Sequence, residues 1–193
     1  MNNHQQPLER HPWPPYIPEK AKFLFLGTFP PKPERWSMPF FYPNKINDFW
    51  RMIGIIFCNG NRDALWNSDL QHFDLDSIKR LLDAEGIALW DTAMAVRRLK
   101  DNASDKFLEI VEPIDLAALL ASHPTITTVV TTGEKATGVV ALQAGIDVPP
   151  IGTPMNCNID GHRFTLWRMP STSRAYPLAL EKKADAYRKV FGR

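Results

Sequence analysis

Five short passages of this chain gather groups that can bind and orient a ligand without a strong nucleophile. They are Gly27-Thr28-Phe29-Pro30, Tyr42 with Asn47-Asp48-Phe49-Trp50, Asp91, Thr131-Thr132-Gly133, and Pro170-Ser171-Thr172-Ser173. Small residues beside rigid prolines offer backbone N–H groups, the aromatic rings offer stacking faces, and Asn and Thr side chains both donate and accept hydrogen bonds. That combination suits holding a planar heterocycle by stacking and hydrogen bonding rather than attacking it covalently.

Other chemistries lack their residues. There is no GxGxxG for a dinucleotide and no GxxxxGK[ST] for nucleoside triphosphates. Ser171 stands between Pro170 and Thr172, where the tight turn of a hydrolase serine needs glycines. His4, His11, His72, His123 and His162 fall in no HExxH or HxH spacing, and Cys58 and Cys157 form no CxxC, so no metal is expected. The 23 Lys and Arg against 21 Asp and Glu give a net charge of +2, so any affinity for nucleic acid must come from local clustering. No apolar run reaches the roughly 18 residues of a membrane span, and the first residues lack the pattern of a secretory signal. A cytoplasmic protein with reduced thiols and no membrane contact is expected.

The elements that must position these groups alternate in type. Apolar strands are expected near 22–27, 87–90, 126–131 and 162–168. Helices are expected from Asn44 through Phe57, at about 75–85 with Gly86 as the stop, over 113–122, over 134–144 closed by Gly145, and over 177–191 with Pro177 near the first turn. The first of these helices would take Asn44 as its N-cap and put Asn47 in its first turn. Asp160-Gly161 reads as a hairpin turn joining 156–159 to the last strand, and 97–105 as a polar loop. Five of the 17 prolines lie in residues 1–20, giving an extended arm packed by Trp13 and Tyr16 onto a single domain spanning 1–193. The expected fold is a three-layer α/β/α sandwich with a central four-stranded parallel sheet. Ligands of such sheets bind beyond the carboxyl ends of the strands, which is where the unusual passages fall.

In that order along the chain, Leu26-Gly27-Thr28-Phe29-Pro30, Tyr42, Asn47-Asp48-Phe49-Trp50, Gly86 through Asp91 with Arg98 and Ser104-Asp105, Thr132-Gly133-Glu134-Lys135-Ala136, and Pro170 through Ser173 resemble the uracil-DNA glycosylase superfamily. They are most similar to its hypoxanthine-DNA glycosylase branch. The resemblance implies a cofactor-free monomer, without a protein partner, that cleaves the bond between a deaminated or damaged base and deoxyribose in DNA. It assigns catalysis to Asn47, base binding to Gly27, Thr28, Phe29, Tyr42 and Thr132, and DNA contacts to Pro170, Ser171, Thr172, Ser173, Arg174 and Tyr176. Asp91, Arg98, Ser104 and Asp105 are implied as supporting residues. Two positions depart from the branch: Thr132 stands where it usually carries Asn, and Pro31 where its Gly-Ser-Met-Pro-Gly motif ends in glycine. The alternative expectation is therefore a nucleic-acid-binding module of the same fold with altered or lost catalysis.

Overall fold

The structure, a computed structural model, describes residues 6–100 and 105–193. In chain order its first half contains β1 (Leu8–Arg10), β2 (Phe23–Gly27), α1 (Phe49–Phe57), β3 (Trp66–Asn67), β4 (His72–Phe73), α2 (Leu75–Glu85) and β5 (Ile87–Asp91). The second half adds β6 (Ala93–Arg98), β7 (Leu108–Pro113), α3 (Leu116–Ser122), β8 (Thr128–Thr132), α4 (Glu134–Ala144), β9 (Pro154–Ile159), β10 (His162–Met169) and α5 (Leu180–Arg188).

The central sheet runs β5-β2-β8-β10-β9. Its first four strands are parallel, as expected, and a fifth, β9, pairs antiparallel with β10 across the Asp160-Gly161 turn. Leu24, Phe25 and Leu26 of β2 are all fully buried, although successive side chains of a strand point to opposite faces. Both faces are therefore covered. Phe25 meets Phe49 of α1 and Tyr187 of α5 on one side. On the other, Thr131, the register partner of Leu26, bonds the Thr137 hydroxyl of α4 at 2.7 Å. Each fully buried apolar side chain contributes about 1.5–3 kcal/mol, so this sandwich is a rigid base for loops at its ends.

A second sheet, β1-β6-β7, departs from expectation: β1 lies in the arm that reads as merely extended, and β6 runs into the first two residues of the segment 97–105 that reads as a loop. Register shifts between Ala93 and Val96 break the period-two alternation by which a strand is recognised in sequence. Ala93, Val96 and Leu108 of this sheet form a small apolar cluster of their own, with Phe29 packed against it. Farther along the arm, Trp13 lies against Trp36 with ring centroids 4.6 Å apart, and Tyr16 exchanges backbone hydrogen bonds with Leu89 at the open edge of β5.

Three helices start later than their patterns suggest. The one expected over 113–122 begins at Leu116, because Pro113 ends β7 and the Asp115 carboxylate caps the helix by accepting from the Ala118 N–H. The helix expected from Asn44 begins at Phe49, because Asn44 Oδ1 accepts from the Ile46 N–H and Asn47 Oδ1 from the Phe49 N–H, local bonds that compete with helix. Asn47 is thus not in the first turn but two residues ahead of the helix. The last helix begins at Leu180 rather than Pro177, the preceding residues being turned by Tyr176 N–H on the Ser173 carbonyl. By contrast α2 matches its expected span. Asp74 caps it, with two hydrogen bonds from Ser77 holding its carboxyl below the usual range, and Gly86 ends it at φ +66°.

A side chain at Gly86 meets two obstacles. The left-handed backbone disfavours any Cβ by about 1–2 kcal/mol, and here that Cβ would also sit 2.8 Å from the Lys20 carbonyl oxygen. Gly86→Ala is expected to lower the unfolding free energy by about 2 kcal/mol or more, read by urea denaturation. A loss below about 0.5 kcal/mol would contradict this placement.

Candidate active site

The carboxyl ends of the four parallel strands, at Gly27, Asp91, Thr132 and Met169, open on one side of the sheet. There lies a cavity of about 1040 Å³. It is lined by Gly27 through Pro31, Tyr42 through Asn44, Ile46 and Asn47, Asp91 and Arg98, Thr132 through Lys135, and Ser171 through Pro177. Thus Gly27, Thr28, Phe29, Tyr42, Asn47, Asp91, Arg98, Thr132, Ser171, Thr172, Ser173, Arg174 and Tyr176 share one cavity. Pro170 does not line it. Its carbonyl accepts instead from the Tyr187 hydroxyl at 2.7 Å, and burial pushes that phenol well above its ordinary pKa, keeping it a donor. Ser104 lies outside the described residues, and Asp105 opens a short 3-10 turn to Phe107.

Each wall is built locally. Tyr42 holds a left-handed backbone, φ +50°, rare for an aromatic residue and stored strain of the kind found at binding sites. Its ring stacks on Phe49 with centroids 3.7 Å apart and planes 11° apart, and its hydroxyl lies 3.1 Å from Thr132 Oγ1. One face of the ring is therefore occupied by protein. Phe29 is propped by Arg98, whose guanidinium lies 5.6 Å from the ring centroid, donates to the Pro30 carbonyl at 2.7 Å, and is itself held by both carboxylate oxygens of Glu9. Thr92 N–H and Oγ–H both donate to the Gly27 carbonyl, pinning the turn out of β2.

The Ser171–Arg174 loop is likewise prefolded. Ser171 Oγ accepts from the Ser173 N–H at 3.2 Å, and Ser173 Oγ from the Ala175 N–H at 3.3 Å. Arg174, although half exposed, reaches back to Asp48 Oδ1 at 3.3 Å. Among the described residues, the cavity lining carries Arg35, Arg98, Lys106, Lys135 and Arg174 against Asp91 and Glu134, with Arg98 paired to Glu9 and Arg174 to Asp48. This is local clustering of positive charge on a chain of nearly balanced composition.

Sequence reasoning missed Lys183. Its side chain is fully buried, and Nζ donates to Asp48 Oδ2 and to the Ser173 carbonyl, both at 2.8 Å. Asp48 in turn donates its backbone N–H to the Thr172 carbonyl at 2.9 Å. One buried ion pair thereby joins the segment carrying Asn47 to the loop 171–174. On sequence Lys183 sits in Glu181-Lys182-Lys183, which reads as a solvated helix face; only the position of Leu180 and Ala184 beside it, on the apolar stripe, marks it as inward. His11 was missed in the same way. It reaches from the arm to Asp91, Nε2 to Oδ2 at 2.9 Å.

No protein-family model matches this chain, and no curated protein matches it. Among solved structures, the solution NMR structure of a Methanosarcina acetivorans protein, provisionally named a uracil DNA glycosylase, matches with a TM-score of 0.62 at 20% identity. The match covers 96% of this chain and 99% of the other. The likeness is one of fold.

Removing one member of a buried ion pair strands the other charge and typically costs about 3–5 kcal/mol, whereas replacing both by apolar groups can be nearly neutral. Lys183→Met is expected to destabilise by about 3 kcal/mol, and Lys183→Met with Asp48→Leu by clearly less than the two single changes added, in equilibrium urea unfolding. Additive losses would mean that the two side chains are not coupled.

Proposed function

We propose that this protein is a DNA glycosylase that removes a deaminated base, hypoxanthine, uracil or xanthine, after the nucleotide is flipped out of the duplex. The observation that carries this reading is the gathering of Gly27 through Pro30, Tyr42, Asn47 and Ser171 through Tyr176 around one cavity at the parallel strand ends. The fold shared with a protein named for that activity supports it.

The chemistry follows from what cleavage of a base–sugar bond demands. Positive charge develops on the sugar and negative charge on the departing base, so donors belong at the base and an oriented water at the sugar. Backbone N–H groups at Thr28 and Phe29 serve the base. Asn47 spends one carbonyl lone pair on the Phe49 N–H, and its second remains to hold the attacking water. Phe29 and the face of Tyr42 turned away from Phe49 stack on the base, each contributing about 1–3 kcal/mol. The Ser171–Ser173 loop grips phosphates flanking the flipped nucleotide, positioning without reading sequence. Arg174 or Tyr176 fills the gap left in the duplex, for which Arg174 must leave Asp48. Neither cofactor nor metal enters the mechanism, and the protein acts as a monomer in the cytoplasm.

The second reading, a binding module without catalysis, draws on Thr132, whose hydroxyl is engaged by Tyr42 and lies 3.5 Å from the Leu26 carbonyl rather than offering an amide to a base. The two readings separate in one experiment. Duplexes containing hypoxanthine, uracil or xanthine are incubated with excess protein and abasic sites are scored by alkaline cleavage. The glycosylase reading expects cleavage of at least one, reduced about 100-fold or more by Asn47→Ala, with duplex affinity unchanged by that substitution and falling steeply with salt. Salt-dependent binding with no abasic product from any duplex would establish the module instead.

A further inference from the structure

His11 belongs to the N-terminal arm and Asp91 closes β5, yet their side chains meet out of solvent, 1% and 9% exposed. A carboxylate only accepts, so Nε2 of the imidazole carries the proton of their 2.9 Å bond. Nδ1 lies 2.8 Å from the Trp13 carbonyl oxygen and 3.3 Å from the Trp13 N–H, so the ring is gripped from behind. Trp90, Phe29 and Phe41 box it in, with centroids 4.7, 5.6 and 5.9 Å away. Apolar groups in place of both His11 and Asp91 would fill that space without burying a polar pair, an exchange that often leaves stability unchanged or improved. What the histidine adds is a fixed orientation for Asp91.

With Oδ2 bound to His11, the other oxygen, Oδ1, lies over Gly27, where a Cβ would collide with it and would stand 3.5 Å from the Tyr42 hydroxyl oxygen. Glycine is needed at position 27 because the carboxylate occupies the space of its side chain. Gly27, Tyr42 and Asp91 all line the cavity.

We propose that His11 is a positioning residue of the base pocket: it reaches from the N-terminal arm to lock Asp91 with Oδ1 presented to the cavity as a fixed hydrogen-bond acceptor. The proposal rests on the glycosylase reading and adds to it a group that would recognise the base. Hypoxanthine, xanthine and uracil each carry a ring N–H next to a carbonyl, where adenine and cytosine carry a bare ring nitrogen. An amide at this position can turn to donate instead, whereas a carboxylate held by an imidazole N–H only accepts. A fixed acceptor therefore favours hypoxanthine over adenine and uracil over cytosine, while guanine carries the same ring N–H as xanthine and is not told apart from it by this group; the arm is part of the pocket.

The test pairs two replacements of His11. His11→Phe fills the aromatic box without a donor, and His11→Gln keeps an N–H near the place of Nε2. The account expects His11→Phe to lower kcat/KM on the cleaved duplex by about tenfold or more, and His11→Gln to recover at least part of that loss. His11→Phe leaves the Asp91 carboxylate without its partner and should lower thermal stability, so rates are compared below the unfolding transition of each variant, where the salt-dependent affinity of His11→Phe for undamaged duplex should match that of the unaltered protein. Added to Asp91→Asn, His11→Phe should cost no more than about another twofold, because both act through one group. Unchanged kcat/KM in His11→Phe, equal losses in both His11 variants, or fully multiplicative losses with Asp91→Asn would overturn it. A readout independent of cleavage is the ring ¹⁵N signals of His11 on adding free hypoxanthine or uracil. They should move in the unaltered protein and stay still in Asp91→Asn; no movement with either base overturns the proposal. If the protein cleaves no duplex but these signals do move, the glycosylase reading fails while the His11–Asp91 link stands.

Discussion

The buried ion pair between Lys183 and Asp48 is the constraint on which the site depends. Nothing in backbone geometry obliges the turn ahead of α1 and the loop after β10 to keep a fixed separation, since they are more than 120 residues apart and each ends a different element. Lys183 supplies that obligation. A fully buried ammonium must satisfy its three protons, and it finds Asp48 and the Ser173 carbonyl at 2.8 Å from one position on α5. Because α5 packs on α1 and against Phe25 of β2, the pair is referenced to the core rather than to mobile loops. The distance between Asn47 and the 171–174 loop is thereby set by the sandwich itself.

The opposite wall depends on a different tether. Arg98, buried and held by Glu9, fixes Phe29 and the Pro30 carbonyl, while His11 fixes Asp91. Glu9 lies in β1 and His11 directly follows it. Two charged groups at the cavity thus draw their partners from the arm, and the small antiparallel sheet is the scaffold that delivers them. Pro31 completes this wall, its carbonyl accepting from the Trp36 indole N–H at 2.7 Å.

Much of this was legible in the sequence because it depends on local patterns. The four parallel strands announce themselves as apolar runs that end in Gly27, Asp91, Thr132 and Met169-Pro170, and the rule that ligands lie beyond such ends leads directly to the cavity. The stop of α2 was equally plain, Gly86 being the residue type that its position requires. What was not legible is what depends on distant partners. The bulged strand β6 hides its alternation, Asn44 and Asn47 spend their side chains on turns instead of a helix, and Lys183 looks like any lysine on an exposed helix until Asp48 is seen against it. His11 is silent for the same reason, its partner lying 80 residues away.

The most direct test of the account is a structure of the protein bound to a duplex whose hypoxanthine or uracil nucleotide carries a 2′-fluoro substituent, which resists cleavage of the base–sugar bond. The account predicts the lesion base extruded into the cavity, stacked against Phe29 and Tyr42, with Asn47 facing its sugar and the 171–173 loop on the flanking phosphates. A base left stacked in the duplex, or the duplex bound on a face away from the parallel strand ends, would contradict it.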